Sequence, residues 1–89
     1  MPDLPPFELV QAPEFSRSLD EAGVSSEFVM RMERGIMWAV RNGLAEAGKV
    51  PGYEEVRFVR VTDFSTRRFI VLFRVDGHVI TLLRLFSYE

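Results

Sequence analysis

The chain has 89 residues, enough for one domain around a single apolar core and too few for two such domains. Its hydrophobic content of 47% argues against a disordered chain, and its net charge of −2 argues against strong nonspecific RNA binding. The absence of cysteine excludes a disulfide framework and a thiol nucleophile, and one histidine cannot build a histidine metal site, so we expect no metal and no cofactor.

The first half of the chain has the pattern of one strand followed by two helices. Residues 7–11 mix apolar and polar side chains, and Pro13 suits the first turn of a helix that ends at Gly23, where a C-terminal cap is expected. Serines at 25–26 offer N-caps to a longer helix, which we expect to end near Gly48. The apolar stripe of this second helix consists of Val29, Met32, Ile36, Val40 and Leu44.

The last third of the chain has the pattern of three strands, because the apolar period changes from about 3.6 to 2. The predicted strands are Tyr53–Thr62, Arg67–Val75 and His78–Phe86, and Asp76-Gly77 suits a tight hairpin turn between the last two. The predicted order is therefore β-α-α-β-β-β. We expect a single α+β domain over residues 1–89, with an antiparallel sheet and a two-helix hairpin packed on one face.

Charge divides the chain unevenly. Residues 1–56 carry five Arg or Lys against ten Asp or Glu, whereas residues 57–89 carry six Arg against three acids. Arginine binds phosphate through two parallel hydrogen bonds, so an arginine-rich sheet suggests a nucleic-acid or ribosomal-RNA surface. The candidates for this role are Arg57, Arg60, Arg67 and Arg68. The alternative is that these arginines are solvated strand residues or ion-pair partners of the acidic helices.

Two further arginines lie in the last strands. Arg74 stands beside the predicted turn, where a structural role is expected. Arg84 interrupts an apolar strand, so its guanidinium must reach solvent, a carboxylate or a ligand, because burying it unpaired is too costly.

The second helix carries a candidate surface for a partner protein. Trp38 lies opposite the apolar stripe and on the same side as Arg34 and Arg41. A tryptophan ringed by arginines is typical of an interaction hot spot, and a homodimer through this face is one version of it. The alternative is that Trp38 packs against the segment Pro5-Pro6.

Three stretches carry a resemblance to a known family. They are the opening Phe7-Glu8-Leu9-Val10, the segment Glu55-Val56-Arg57, and the strand pair 68–86 with its Asp76-Gly77 turn. Together they resemble the RelE/ParE superfamily of toxins from type II toxin–antitoxin systems. The resemblance implies a growth-inhibiting toxin that either cleaves mRNA at the ribosome or poisons DNA gyrase. It also implies a cognate antitoxin that binds the toxin.

The resemblance also implies site residues. Arg57 matches the arginine of the family's Glu-Leu-Arg-like motif, while the family's second arginine falls on Ile70, with Arg68 as a neighbouring substitute. Ser87 stands where a histidine often follows the final strand, which leaves Tyr88 and Glu89 for acid–base chemistry. The implied catalytic residues are therefore Arg57, Arg68, Arg84 and Tyr88. Because this set is incomplete, a ribosome-dependent endonuclease, a gyrase poison and a non-catalytic interaction module of the same fold all stay open.

The start of the chain lacks the cationic flank and apolar stretch of a secretory signal. No apolar run approaches the roughly eighteen residues that span a bilayer. We therefore expect a cytoplasmic protein that does not associate with a membrane.

Overall fold

The structure, a computed structural model, describes residues 7–44 and 47–88 and has an α+β architecture. Its elements in chain order are β1 (Glu8–Gln11), α1 (Pro13–Ala22), α2 (Ser26–Arg41), β2 (Gly48–Val50), β3 (Tyr53–Thr62), β4 (Arg68–Asp76) and β5 (Val79–Ser87). The two helices and the three long C-terminal strands are confirmed. In the described residues, neither helix is long and apolar enough to cross a membrane.

The five strands form one mixed sheet in the order β1-β5-β4-β3-β2. The predicted antiparallel meander is confirmed for β3, β4 and β5. The prediction of an antiparallel sheet is wrong for β1, which pairs with β5 in parallel after the chain has crossed over through both helices. Strand β2 was not predicted; it has three residues, and Pro51-Gly52 folds it back onto β3.

The end of α2 and the β4–β5 turn differ from the predictions. Helix α2 ends at Arg41, before Gly48, because Gly43 and Leu44 both adopt positive φ angles (75° and 63°), which no helix continues. The β4–β5 turn is centred one residue later than predicted: Asp76 pairs with Val79, so Gly77 and His78 form the loop. Gly77 has φ 62°, the conformation that the first central residue of a type II′ turn requires.

The core lies between the two helices and one face of the sheet. Phe15 from α1 and Ile36 from α2 are fully buried there against the sheet. The sheet contributes Phe69, Val71, Phe73, Ile80, Leu82 and Leu85 to the same cluster. Side chains alternate along a strand, so the residues between these point to the opposite face, which no described helix covers.

Helix α1 lies along the edge of β5 beyond the last residue that β1 pairs with. The β1 strand pairs only with residues 79–82. Further along β5, the backbone N–H of Leu85 donates to the buried hydroxyl of Ser18 over 3.0 Å, and that hydroxyl donates to the carbonyl of Phe15 over 2.7 Å. The helix therefore satisfies a backbone group that a longer β1 would have bonded.

A β-bulge in β5 sets the direction of Arg84. Leu82 pairs with Phe73 and Arg84 pairs with Leu72, so Leu83 is an extra residue in the ladder. Without this bulge, Arg84 would point to the same face as the buried Leu82. With it, Arg84 is exposed on the uncovered face and Leu85 turns into the core, where it is 5% exposed.

Candidate nucleic-acid interface

The uncovered side of the sheet carries basic and apolar side chains in alternating rows; we call it the open face. One row across the sheet is Phe58, Leu72 and Arg84, and the next row is Arg60, Ile70 and Phe86. The third row pairs Thr62 with Arg68, whose carbonyl accepts a hydrogen bond from the N–H of Tyr88 over 3.0 Å. Of the predicted catalytic residues, Arg68 and Tyr88 line one depression, while Arg84 lies two rows away, opposite Leu72.

Three arginines of the open face have no carboxylate partner among the described residues. Arg60, Arg68 and Arg84 are exposed. The ion pairs found in residues 7–44 and 47–88 are Arg17–Glu14 and Arg67–Asp63, and neither involves these three. Arg60 is the diagonal neighbour of Arg68 across the ladder, at about 7–8 Å between backbones. An anion bound between such like charges would relieve their repulsion.

Aromatic rings accompany two of these arginines. The guanidinium carbon of Arg84 lies 4.8 Å from the ring centroid of Phe86, and that of Arg60 lies 5.8 Å from the centroid of Phe58. Phe86 is 37% exposed, so its ring is accessible to solvent. Aromatic rings and guanidinium planes are the surfaces on which unpaired bases stack.

A depression of about 600 Å³ lies where the open face meets the β3–β4 loop. Thr66, Arg67, Arg68, Ser87 and Tyr88 line it. Tyr88 is half-buried, and its hydroxyl, like those of Thr66 and Ser87, can both donate and accept a hydrogen bond. The depression therefore combines two guanidinium groups with three hydroxyl groups.

Arg67 belongs to the fold rather than to the open face. Its Nε donates to Asp63 Oδ2 over 2.7 Å, and its Nη1 donates to the carbonyl of Ala22 over 2.7 Å. This arginine therefore joins the β3–β4 loop to the C-terminal end of α1, where helix carbonyls lack partners. Because these two contacts hold its guanidinium against the fold, Arg67 is less available to a phosphate than Arg68.

Asp63 organises the same loop. Burial raises the pKa of this carboxyl. The backbone and side-chain hydrogen bonds from Arg67, the backbone N–H of Ser65 and the charge of Arg67 outweigh burial, so the pKa of Asp63 lies below its ordinary value of 3.8. Its Oδ1 accepts the N–H groups of Ser65 (3.0 Å) and Arg67 (2.8 Å). The ionised form thus holds the loop that precedes Arg68.

Arg57, the first candidate for a phosphate contact, lies apart from the open face. It pairs with the buried Phe73, so its side chain leaves the sheet on the helix side. Its Nη1 donates to the backbone carbonyls of Glu54 and Val56. The structure therefore does not bring Arg57 together with Arg68 and Arg84.

Arg74 also lies on the open face, but towards its acidic end. It pairs with Thr81, two residues from the β4–β5 turn. Beside that turn, Val79 pairs with Asp76 on one side and with Glu8 of β1 on the other. The carboxylates of Asp76 and Glu8 therefore lie at the same end of the open face. The open face is therefore basic near Arg68 and mixed in charge near Arg74.

The predicted partner surface on α2 is exposed. Trp38 is 59% exposed, and Arg34 and Arg41 are exposed on the same side of the helix. The backbone carbonyl of Trp38 accepts a hydrogen bond from the side chain of Asn42 at the helix end, over 2.7 Å. The alternative contact with Pro5-Pro6 and the candidate Glu89 lie outside the described residues.

The aromatic members of the open face were not predicted from the sequence. Phe58 and Arg60, like Arg84 and Phe86, are two residues apart in one strand, and this spacing places both side chains on the same face. The repeated spacing was the available signal for a stacking surface. No spacing indicated the buried Ser18, because its partner lies 67 residues away on β5.

Comparison with protein-family models, with curated proteins and with solved structures finds no match to this chain. The resemblance to the RelE/ParE superfamily therefore rests on the residues quoted for it.

Proposed function

We propose that this chain is the toxin-like component of a type II toxin–antitoxin pair of the RelE/ParE kind, and that its open face binds single-stranded RNA, in particular mRNA at the ribosome. One observation carries the proposal. The bulge at Leu83 turns Arg84 onto the face that already holds Arg60 and Arg68, and none of the three has a carboxylate partner among the described residues.

The chemistry of the open face favours RNA in single strands. Guanidinium groups contact phosphate oxygens, while the rings of Phe58 and Phe86 offer stacking surfaces to unpaired bases. A five-stranded sheet does not fit the deep, narrow major groove of an RNA duplex, where base edges are inaccessible. Binding would be salt-sensitive and indifferent to sequence, because neither type of contact identifies a base.

Cleavage of the bound RNA would require more than binding. A ribose 2′-hydroxyl would attack the adjacent phosphorus while the bond to the 5′-oxygen breaks, so one group must take a proton and another must supply one. Arg68 would stabilise the charge that develops on the phosphate, and Tyr88, which lines the same depression, would transfer a proton. Tyr88 would have to serve both steps or share them with a group of the target.

Inducible expression in bacteria tests this proposal. We expect wild type to arrest growth and Arg68→Ala or Arg84→Ala to relieve the arrest at equal protein level. Arg57→Ala is the matched control, because it removes an arginine from the other side of the sheet and should leave the arrest intact. Normal growth on wild-type expression would remove the toxin proposal, and arrest that survives all three substitutions would remove the open face from it.

Pulse labelling distinguishes the targets. Loss of amino-acid incorporation before thymidine incorporation is expected for action at the ribosome. The reverse order would favour a ParE-like gyrase poison.

A second candidate is a non-catalytic interaction module of the same fold. The exposed Trp38 favours it, because a solvent-exposed tryptophan is typical of a surface that a partner protein covers. The growth assay distinguishes the two candidates: a module does not arrest growth.

A further inference from the structure

The loop between β3 and β4 holds a threonine in a left-handed backbone conformation. The N–H of Asp63 donates to the carbonyl of Arg67, and the N–H of Thr66 donates to the carbonyl of Asp63, both over 3.0 Å. These bonds close a hairpin loop over residues 64–66, whose last residue ordinarily has a positive φ and is best filled by glycine. Thr66 occupies this place with φ 66°, which is an outlier for a β-branched residue. The stability of the loop therefore does not account for a threonine.

The strained residue belongs to the depression at the end of the open face. Thr66 lines it together with Arg68 and Tyr88, and its volume is about 600 Å³. Pockets that hold small ligands have volumes of about 300–1,000 Å³. Residues in sparsely populated backbone conformations cluster at active sites and ligand-binding surfaces, where the strain is part of how a group is positioned. Thr66 is thus a candidate for direct contact with a ligand in the depression.

The hydroxyl of Thr66 has already used its proton. Its Oγ1 donates to the backbone carbonyl of Ser65 over 2.5 Å. A hydroxyl has one proton and two acceptor lone pairs, so this oxygen can contact a ligand only by accepting a hydrogen bond. A phosphate diester has oxygen acceptors and no donor. The ligand group that fits Thr66 is therefore a hydroxyl or an N–H, not a phosphate oxygen.

We propose that Thr66 accepts a hydrogen bond from a ribose 2′-hydroxyl, and that the depression thereby distinguishes RNA from DNA. The 2′-hydroxyl is the donor that every ribonucleotide carries and every deoxyribonucleotide lacks. Arg68 is exposed, follows two residues later and lines the same depression, so it contacts the phosphate of the bound nucleotide while Thr66 contacts the sugar. The inference rests on the proposed function because it requires a nucleic acid on the open face, and it assigns the residue that selects the sugar.

Binding of short fluorescent oligonucleotides to purified protein, measured by anisotropy at one salt concentration, tests the inference. Oligouridine and oligodeoxyuridine have the same base donor at N3, so their comparison isolates the sugar. We expect wild type to bind oligouridine about fivefold more tightly, as one added hydrogen bond allows. The 2′-fluoro analogue keeps the sugar conformation of RNA but has no donor, so it should bind as weakly as oligodeoxyuridine.

Three substitutions separate the hydroxyl from the shape and the strain of Thr66. Thr66→Val keeps the β-branched shape without the acceptor, so it should weaken oligouridine binding about fivefold and leave oligodeoxyuridine binding unchanged. Thr66→Ser is the matched control, because it keeps the hydroxyl and should stay within about twofold of wild type. Thr66→Gly removes the hydroxyl and relieves the strain, so it should lose the preference for RNA while melting no lower than wild type.

Four results would overturn the inference. They are equal affinity of wild type for the two sugars, binding of the 2′-fluoro analogue as tight as that of oligouridine, unchanged RNA preference in Thr66→Val, and a Tm of Thr66→Gly well below that of wild type. Each of these leaves the open face as a nucleic-acid surface. Absence of binding to every oligonucleotide would instead remove the proposed function together with the inference, so the two failures are distinguishable.

Discussion

Ser18→Ala tests how α1 holds the strand that carries Arg84. The hydroxyl of Ser18 accepts the N–H of Leu85 over 3.0 Å in a buried environment, beyond the last residue that β1 pairs. Alanine removes the hydroxyl that this N–H bonds to, at a residue that is 5% exposed.

The magnitude follows from two opposing contributions. An unsatisfied buried donor costs about 1–3 kcal/mol, whereas alanine in place of serine within a helix gains about 0.5 kcal/mol. The net loss is therefore about 1.5 kcal/mol in the free energy of unfolding. For a domain of this size that corresponds to a Tm lower by about 6–12 °C.

The assay is urea and thermal unfolding followed by circular dichroism, with Ser16→Ala as the matched control. Ser16 lies on the same helix, and its hydroxyl bonds to Gln11 at an exposed site, so alanine there should be neutral or slightly stabilising. Hydrogen exchange should show the amide of Leu85 losing protection in Ser18→Ala alone. Equal stability of the two variants would refute the assigned role of Ser18.

Two further predictions concern the loop and the bulge. Asp63→Asn should lower stability near neutral pH. Because the folded pKa of Asp63 is depressed, its contribution to stability is present above pH 3.8 and is lost as the pH falls through the folded pKa. Urea unfolding measured against pH should therefore show the stability difference between wild type and Asp63→Asn disappearing at low pH. A difference that does not change with pH would contradict this role of Asp63. Deletion of Leu83 removes the extra residue and keeps Arg84 and Leu85 on their faces, so circular dichroism should show a folded protein that has lost about 1 kcal/mol. Deletion of Leu72 turns the side chains of β4 on one side of the deletion to the opposite face of the sheet, so it should unfold the chain. Equal stability of the two deletion variants would contradict the assigned register.

The sequence predicted the elements well where periodicity is local. The stripe of α2 and the period-two segments of β3, β4 and β5 follow from side-chain spacing alone, because core burial selects those positions. The parallel β1–β5 pair and the short β2 could not be predicted in this way. Their pairing depends on where the helices return the chain, and neither strand has enough residues to show a period.

The directions of the arginine side chains could likewise be predicted from the sequence only in part. The odd spacing of Arg57 and Arg60 within one strand predicts that their side chains point to opposite faces. The direction of Arg84 was not, because simple alternation from Leu82 would turn it inward and only the bulge at Leu83 reverses it. A bulge depends on pairing with β4, which the sequence of β5 alone does not specify.

The most direct measurement is a titration of isotopically labelled protein with an unstructured oligouridine, followed by NMR at several salt concentrations. The account predicts shifts at Arg60, Arg68 and Arg84 and at the neighbouring Phe86, with α2 unchanged. It also predicts a slope of log K against log salt of about −2, which corresponds to three phosphate contacts on a single strand. Shifts confined to the helix side of the sheet, or binding that is insensitive to salt, would contradict it.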